Sequence, residues 1–364
     1  MHTLDDIKDL LQSCENDDDF SRLQARALET TLQHVGPEIH FRGLIEFSNV
    51  CSRDCFYCGI RKSNKKVQRY SLSQEEIVEL AKWSAQEGYG SIALQSGERC
   101  DPVFVDFVTG VLRQIKSETR SELLPDGLGI TLCVGEQTKE TYQRFFDAGA
   151  HRYLLRIETT SPSLFAQIHP SEQDLQTRLR SLEYLKEIGY QVGTGVMIGL
   201  PGQTYEDLAR DVLFFHDIDI DMIGMGPYLS HHDTPMSRYA EENNRNRLLI
   251  FKKSLAMIAA TRIVCPKINI AATTALQTID PAGRIEGLRF GANVLMPQTT
   301  PTGFRRNYLL YEGKPGLDEN ALETRLNLER QIESIGRYVS KNKWGDSLRF
   351  HEKHPHSPDS PTGK

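Results

Sequence analysis

The sequence predicts an α/β fold in which eight parallel strands alternate with helices and close into a complete (β/α)8 barrel of the TIM type. From Phe41 onward, eight strand-like apolar segments alternate with amphipathic helical segments. The strands are rich in apolar residues, as expected of parallel strands covered on both faces. A chain of 364 residues is long enough for one barrel of about 250 residues with additional segments at both ends. An open barrel of six units is the alternative.

Segments outside the barrel are predicted at both ends of the chain. Apolar positions such as Leu4 and Ile7 recur at helical spacing before the first strand. The last residues are rich in Pro, Ser, Gly and His, a composition typical of disorder. The four predicted segments are an N-terminal helical preface at 1–38, the barrel at 39–313, a C-terminal helical extension at 314–346 and a disordered tail at 347–364.

Each barrel unit is predicted from a strand pattern followed by a helix pattern. The predicted strands are 40–48, 91–97, 129–135, 152–158, 191–200, 221–228, 269–274 and 292–296. Ser73 and Glu76 form a capping-box sequence, which predicts the start of the first barrel helix. Further helices are predicted near 103–115, before Ala148, and near 175–188, 205–215, 245–263 and 282–289.

Composition excludes several function classes. A net charge of −6 without a long basic run argues against nucleic acid as a partner. The short basic run at 61–66 is interpreted as a solvated loop. No run of about 18 apolar residues and no signal-peptide pattern is present, so we expect a soluble, cytoplasmic protein without a membrane partner. Cysteines outside the motif described next show no paired framework, which fits a reducing compartment.

Three cysteines follow the first predicted strand within eight residues. Cys51, Cys55 and Cys58 have the spacing Cys-x3-Cys-x2-Cys. Three thiolates suit a [4Fe–4S] cluster that keeps one iron free for an external ligand. Structural zinc prefers four protein ligands, and no fourth Cys or nearby His follows at zinc-finger spacing. Zinc and a disulfide pair remain as alternatives.

This motif, with the aromatic Tyr57 before its third cysteine, resembles the radical S-adenosylmethionine (SAM) superfamily. The resemblance implies that Cys51, Cys55 and Cys58 hold one [4Fe–4S] cluster and that SAM chelates its free iron. It also implies reductive SAM cleavage to a 5′-deoxyadenosyl radical, with Tyr57 packed near the adenine.

Further SAM-binding candidates lie at the carboxyl ends of the predicted strands, where the sites of parallel barrels are found. Gln95 and Gly97 belong to a segment similar to the Gly-Gly-Glu segment of the superfamily. Glu158 is a candidate ligand of the ribose or ammonium of SAM. Arg178 offers a bidentate grip on the SAM carboxylate. Met222 offers apolar contact with adenine or the sulfonium, although a Met on a barrel strand is more often core.

A small anionic or zwitterionic substrate is expected in a polar pocket inside the barrel. Arg156 and Glu158 are two residues apart, so both side chains are predicted to point inward. The candidate substrate residues are Thr131, Cys133, Arg156, Thr273, Thr274 and Arg305. His231 and His232 are weak metal candidates and are interpreted as part of an ordinary loop.

Longer motifs are similar to the HydE family of [FeFe]-hydrogenase maturases, in the biotin-synthase-like branch of the superfamily. They include Phe47-Ser-Asn-Val-Cys51, Leu94-Gln-Ser-Gly-Glu98, Met197-Ile-Gly-Leu-Pro-Gly-Gln-Thr204, Asp221-Met-Ile-Gly-Met-Gly-Pro227 and Gly291-Ala-Asn-Val-Leu-Met-Pro297. The resemblance implies a role in assembling the diiron subcluster of the hydrogenase, with a small iron-bound cysteine-type substrate. Implied partners are the HydG and HydF maturases and a low-potential electron donor.

Two positions depart from that family pattern. Family members commonly carry Arg-His-Glu on strand four, whereas this chain has Ile157 in the middle position. No cysteine follows Cys265, so ligands for a C-terminal auxiliary cluster are absent. A paralogue, an amino-acid mutase resembling methylornithine synthase, a sulfur-inserting synthase and a zinc-stabilised binding protein therefore remain as alternatives.

Overall fold

The computed structural model describes residues 2–354 and is built around a curled sheet of parallel strands. The strands are β1 Glu38–Ser48, β2 Ser91–Ser96, β3 Gly129–Cys133, β4 Arg152–Leu154, β5 Gln191–Thr194, β6 Met197–Ile198, β7 Met222–Ile223, β8 Gly226–Pro227, β9 Asn269–Ile270, β10 Val294–Leu295 and β11 Tyr338–Ser340.

The helices alternate with these strands along most of the chain. They are α1 Leu4–Gln12, α2 Asp17–His34, α3 Gln74–Gln86, α4 Pro102–Glu118, α5 Lys139–Asp147, α6 Pro162–Ile168, α7 Leu175–Ile188, α8 Tyr205–Asp217, α9 Ala240–Arg245, α10 Arg247–Val264, α11 Thr274–Ile279, α12 Gly283–Arg289, α13 Thr302–Arg305, α14 Ala321–Ser334 and α15 Leu348–Lys353, with 3-10 helices at Ser13–Glu15 and Pro235–Tyr239.

Eight strands form one hydrogen-bonded path in the order β10-β1-β2-β3-β4-β5-β7-β9. Neighbouring strands are parallel throughout. The two end strands also meet, because the Asn293 N–H donates to the Ile270 carbonyl at 2.9 Å and the Ala272 N–H donates to the Val294 carbonyl at 3.0 Å. The prediction of a parallel α/β sheet is confirmed. The sheet has eight strands, which is more than the six strands of the open-barrel alternative.

Local sequence signals place the helices. The Ser73 hydroxyl accepts from the Glu76 N–H and the Glu76 carboxylate accepts from the Ser73 N–H, so α3 begins with the predicted capping box. Asp174 caps the start of α7 by accepting from the Thr177 N–H. Gly189 ends α7 in the left-handed conformation, with φ of 104°. Helix α7 therefore has the predicted bounds.

Two strands that the sequence predicts as continuous are interrupted. The predicted strand 191–200 is divided into β5 and β6, and the predicted strand 221–228 into β7 and β8. The cause is the close approach of the two neighbouring backbone segments at the interruption. A Cβ on Gly195 would lie 2.0 Å from the Gly224 carbonyl oxygen. The pair β6 and β8 continues the parallel direction beyond this contact, toward the carboxyl edge of the sheet.

The N-terminal helices α1 and α2 pack on the outer helices α8 and α10, as the predicted preface requires. Their apolar faces include Ile7, Leu11, Leu23 and Ala27, all buried. No helix within residues 2–354 is long and apolar enough to cross a membrane.

The C-terminal region differs from the sequence prediction in two ways. The predicted extension at 314–346 contains helix α14, but it also contains strand β11, which pairs with the start of β1. Residues at the beginning of the predicted disordered tail form α15, because Ser347 caps the Phe350 N–H and the Phe350 side chain is buried. Residues 355–364 lie outside the described residues.

Residues 344–347 cross the amino-terminal end of the sheet. The Gly345 carbonyl accepts from Arg42 and from Asn269, and the Asp346 carboxylate pairs with Arg152 at 2.8 Å. These contacts close the base of the sheet and leave its carboxyl edge as the open end.

Candidate active site

The cysteine loop leaves β1 at the carboxyl edge of the sheet. Cys51, Cys55 and Cys58 are all partly exposed, and the Cys58 N–H donates to the Cys55 carbonyl at 3.3 Å. The Cys55 thiol donates to the Gln173 side-chain oxygen at 3.3 Å. All seven cysteines are free thiols, so the structure gives no support to the disulfide alternative.

The surroundings of Cys51 suit a sulfur that ligates a metal. The backbone N–H groups of Arg53 and Glu98 both donate to Cys51 Sγ, at 3.4 and 3.3 Å. Gly97 allows this approach, because a Cβ there would lie 2.4 Å from the Val50 carbonyl oxygen and 2.8 Å from Cys51 Cβ. Hydrogen bonds to cysteine sulfurs tune the potential of iron–sulfur clusters. The two N–H groups that donate to Cys51 Sγ therefore fit a cluster-binding loop.

The three thiols have raised pKa values. Burial raises the pKa of Cys51, raises that of Cys55 to about 12, and raises that of Cys58 well above its ordinary value. Each neighbouring thiolate raises the pKa of Cys58 further. Anionic sulfurs that raise one another's pKa are therefore unfavourable without a cation, and a bound metal would offset that cost.

A buried network of charges supports the cysteine loop. Arg53, which lies between the first two cysteines, pairs with Glu98 and, at 2.9 Å, with Glu136. Arg178 donates through Nε to the other Glu136 oxygen at 2.5 Å and through Nη1 to the Arg156 carbonyl at 2.5 Å. Charge-assisted hydrogen bonds thus join the loop to the ends of β2 and β3 and to helix α7.

This network limits the geometry that Arg178 can offer a ligand. Glu136 and the Arg156 carbonyl occupy two of its three nitrogens, whereas Nη2 makes no hydrogen bond to another residue within 2–354. The predicted bidentate grip on a carboxylate would require Arg178 to release Glu136. A contact through Nη2 requires no rearrangement.

Three polar side chains meet beside the cysteine loop. The Tyr57 hydroxyl donates to Glu158 at 3.3 Å, and Arg156 pairs with Glu158 at 2.8 Å. Arg156 also donates to the Val196 carbonyl at 3.0 Å. The prediction that Arg156 and Glu158 share one face is confirmed by their contact.

The backbone around Glu158 departs from a regular strand. The Thr194 hydroxyl donates to the Leu155 carbonyl at 2.8 Å and accepts from the Ile157 N–H at 3.3 Å, in place of ladder bonds. Glu158 then has φ of 66°, a conformation that non-glycine residues rarely adopt. Such strain is concentrated at functional sites. The strained residue is one of the predicted SAM ligands.

Asp211 on α8 holds the chain directly after this turn. One Asp211 oxygen accepts from both the N–H and the hydroxyl of Thr160, at 2.7 and 2.6 Å. Burial raises the pKa of Asp211 to about 7. A buried carboxyl group therefore positions the segment that follows Glu158.

A small apolar group lies next to Tyr57. It consists of buried Ile168, Met197, Leu200, Tyr228 and Met236, with Phe56, Tyr57 and Tyr239 packed against it. The Tyr57 ring also meets the His169 ring edge-on, with centroids 5.6 Å apart. The aromatic neighbour of the third cysteine therefore faces an apolar surface suited to a planar ring.

The interior of the sheet contains a cavity between the strands. Its lining includes Gln95, Thr131, Cys133 and Met222. The Thr131 hydroxyl is buried without a hydrogen-bond partner within residues 2–354. Gln95 donates to the Tyr308 hydroxyl at 3.2 Å at this cavity. Two candidate substrate residues and two candidate SAM residues thus share one space.

Met222 lies on a different side from the predicted adenine contacts. Its sulfur accepts from Arg42 Nη1 at 3.0 Å, deep in the cavity near the base of the sheet. The apolar group beside Tyr57 instead contains Met236 and Met197, which lies at the end of the fifth strand unit. Met197 was not predicted as a site residue, because its place at the end of the predicted strand 191–200 carried no ligand signal of its own.

Three other predicted substrate residues are not brought into this cavity. The Thr273 hydroxyl donates to the Met225 carbonyl at 3.1 Å. Thr274 begins α11 and lines a separate cavity together with Arg305. Arg305 is almost fully buried, and its guanidinium donates to the carbonyls of Thr300, Gly316 and Glu319. Arg305 thus braces the C-terminal extension, since the chain after β10 turns away from the sheet interior.

Several residues of the site had no clear sequence signal. Arg53 stood inside the cysteine motif, but its spacing gave no reason to pair it with Glu98 and Glu136. Gln173 and Tyr308 lie in loops where no pattern singled them out. Only the three-dimensional contacts identify them as part of the site.

His231 and His232 lie beside the cysteine loop. With Asp233 they form the one group of three potential metal ligands within 4.8 Å of one another in the described chain. The two rings are stacked, with centroids 4.7 Å apart and planes 17° from parallel, so their in-plane lone pairs do not converge. His232 instead contacts Glu312 and Asp233. The interpretation of these histidines as ordinary loop residues fits the contacts.

Position 157, where the sequence departs from the family pattern, does not face the site. Ile157 is fully buried in the main hydrophobic core, while its neighbours Arg156 and Glu158 pair with each other. A histidine at this position would bury a polar ring without a hydrogen-bond partner.

We therefore expect Ile157→His to lower the free energy of unfolding by about 1–3 kcal/mol and to leave SAM affinity within about threefold of wild type. Thermal unfolding and SAM titration of the cluster-loaded protein measure the two quantities. Ile157→Val is the matched control and should change neither strongly. Altered SAM affinity without lost stability would contradict the placement of residue 157 in the core.

Comparisons with known proteins relate this chain to one superfamily. The model of the radical SAM superfamily matches residues 45–215. The [FeFe] hydrogenase maturase subunit HydE of Thermotoga maritima is 42% identical over 325 residues, which cover 89% of this chain and 88% of that protein. Biotin synthase of Bacillus cereus is 25% identical over 258 residues, or 69% of this chain and 73% of that protein. A crystal structure of methylornithine synthase (PylB) superposes with a TM-score of 0.76 at 23% identity, covering 93% of this chain and 94% of that one, and so shares the fold.

Proposed function

Because this chain belongs to the radical SAM superfamily, in the group that contains the maturase subunit HydE, we propose that it acts in the assembly of the [FeFe]-hydrogenase active site. The proposed substrate is a small iron-bound cysteine-type complex that contributes to the diiron subcluster. The observation that carries this proposal is the sequence identity with HydE along nearly the whole chain. The cysteine motif and the charged residues around it lie inside the matched region.

Radical SAM proteins bind a [4Fe–4S] cluster and SAM, and together these supply a carbon-centred radical by reductive cleavage of the sulfonium. In this chain we assign cluster binding to Cys51, Cys55 and Cys58. The two backbone N–H donors at Cys51 Sγ and the close packing of Gly97 support that assignment. Arg53 orients the loop through its two glutamate partners.

SAM is assigned to the space between the cysteine loop and the ends of β2 to β6. Tyr57 and Met197 offer apolar surface for the adenine, and Glu158 offers a carboxylate for the ribose or the ammonium. Arg178 offers Nη2 to the SAM carboxylate, while Gln95 and Gly97 lie next to the methionyl end. Met222 remains a candidate only from inside the cavity, since it contacts Arg42 rather than Tyr57.

The substrate is assigned to the interior cavity. Thr131 and Cys133 line it. Arg156 pairs with Glu158 beside the cysteine loop and remains a candidate substrate ligand from outside this lining. The unpartnered Thr131 hydroxyl supports a polar ligand there. The contacts of Thr273, Thr274 and Arg305 instead favour structural roles.

Three further predictions extend this proposal. We infer a complete (β/α)8 barrel, supported by the hydrogen bonds between the two end strands of the sheet. We infer a cytoplasmic, reducing location, supported by the free thiols of all seven cysteines and by the proposed oxygen-sensitive cluster. Proposed partners are the HydG and HydF maturases and a low-potential electron donor.

A complementation experiment tests the assignment to hydrogenase assembly. In a bacterium that makes an [FeFe] hydrogenase but lacks its own HydE, expression of this chain should restore hydrogen evolution. The Cys58→Ala variant should not restore it. An intact protein that holds a cluster and cleaves SAM, yet restores no hydrogenase activity, would contradict the assignment and favour a paralogue or an amino-acid mutase.

A further inference from the structure

The loop that carries the cysteines is strongly basic, although the whole chain is acidic. Residues 51–72 contain six Lys or Arg residues and a single Asp, in a chain with a net charge of −6. The cations are Arg53, Arg61, Lys62, Lys65, Lys66 and Arg69. We call residues 61–66 the basic segment. The role of the loop in holding a cluster does not explain this concentration of charge.

The basic segment lies directly against the cysteine loop. The Lys62 N–H donates to the Arg53 carbonyl at 2.8 Å, between the first two cysteines. The Arg61 N–H donates to the Cys58 carbonyl at 3.2 Å, at the third cysteine. The basic segment therefore borders the metal-binding loop along its length.

Hydrogen bonds hold the segment in a defined shape. The Arg69 guanidinium donates to the carbonyls of Asn49, Ile60 and Arg61 at 2.6–2.7 Å. The Asn64 side chain is buried and donates to the Gly59 carbonyl at 2.7 Å. A loop braced in this way presents its lysines from a preorganised surface, which lowers the entropic cost of binding.

Some of these cations are already paired, and others face solvent without a partner. Arg61 pairs with Asp54 at 2.8 Å, and Lys66 pairs with Asp233 at 2.5 Å while its side chain stays 76% exposed. Lys62 and Lys65 are exposed and make no ion pair within residues 2–354. The unpaired positive charge is thus concentrated at the outer edge of the cysteine loop.

We propose that Lys62, Lys65 and Lys66 form a docking surface for an acidic electron-transfer protein that reduces the cluster. This inference rests on the proposed function, because SAM cleavage requires an electron from outside the chain. One electron leaves the reduced donor and enters the cluster held by the three cysteines, and no bond is formed or broken in that step. Complementary charge beside the acceptor steers the donor to this face and raises the association rate.

A charge-reversal experiment tests the docking surface. The Lys62→Glu/Lys65→Glu variant and wild type are loaded with cluster, and stopped-flow absorbance follows cluster reduction by reduced flavodoxin and, separately, by an acidic ferredoxin. At low ionic strength we expect the rate to fall about tenfold or more, and to approach the wild-type rate near 0.5 M salt because ions screen the attraction. Reduction by dithionite and the iron content should stay unchanged.

The matched control reverses two cations at the base of the sheet. Arg120→Glu/Lys341→Glu produces the same change in net charge, and both residues are exposed at the end opposite the cysteine loop. This control should keep at least about half of the wild-type rate. Equal rates for the two variants, or failure of both donors to reduce wild type, would overturn the proposal. Failure of dithionite-reduced wild type to cleave SAM would instead refute the proposed function, so the two failures are distinguishable.

Discussion

Replacing Cys58 by alanine is expected to abolish cluster binding and, with it, SAM cleavage. Wild-type protein reconstituted without oxygen should hold about four iron and four sulfide ions per chain, as three thiolates of one loop predict. The variant should hold far less iron and produce no detectable 5′-deoxyadenosine. The physical reason is that the change removes one of the three thiolates proposed to hold the cluster.

Cys100→Ala is the matched control, because Cys100 is exposed and lies outside the motif. It should keep the iron content and the SAM cleavage of wild type. Full iron loading of Cys58→Ala, or equal loss in Cys100→Ala, would contradict the assignment of the three cysteines. Stoichiometric zinc in place of iron would support the zinc alternative.

Replacing Arg178 by alanine is expected to raise the dissociation constant of SAM about 10- to 100-fold while the cluster is retained. A hydrogen bond to a charged group contributes about 1.5–3 kcal/mol, which corresponds to that range. The change removes the cation that faces the proposed SAM carboxylate, and it also releases Glu136 from one of its two arginine partners. SAM titration of cluster-loaded protein, followed by the change in its electron paramagnetic resonance spectrum, measures the effect.

Two variants separate ligand binding from structural support. Arg180 lies on the same helix but is exposed, so Arg180→Ala should leave SAM affinity unchanged. In Arg178→Ala/Glu136→Gln the stranded carboxylate is neutralised, so a purely structural defect should be partly repaired. Wild-type affinity in Arg178→Ala, or full rescue in the double variant, would remove Arg178 from the SAM site.

Much of the fold was predictable because local patterns and tertiary packing agree. Helix α7 has the predicted bounds since Asp174 caps its start and Gly189 ends it. The cysteine loop was predicted in its place because its spacing is specific and a strand precedes it. The strand interruptions were not predictable, because they depend on the close approach of Gly195 to Gly224 between two different strands.

The candidate site was only partly predictable, for the same reason. Arg156 and Glu158 could be paired from their spacing alone, and they do meet. Thr273 and Thr274 are adjacent in sequence, but Thr273 donates to the Met225 carbonyl, whereas Thr274 begins α11 and lines a separate cavity. The pairing of Arg53 with Glu98 and Glu136 joins three separate loops, which no pattern in one sequence brings together.

The most direct measurement is the electron paramagnetic resonance spectrum of the reduced, cluster-loaded protein with and without SAM. One [4Fe–4S] cluster per chain with an iron free of protein ligands predicts a reduced-cluster signal that changes when SAM binds. Isotopically labelled methionyl nitrogen and carboxylate should then show coupling to that iron. A protein without this signal, or with a signal that SAM leaves unchanged, would contradict the assignment of radical SAM chemistry to this loop.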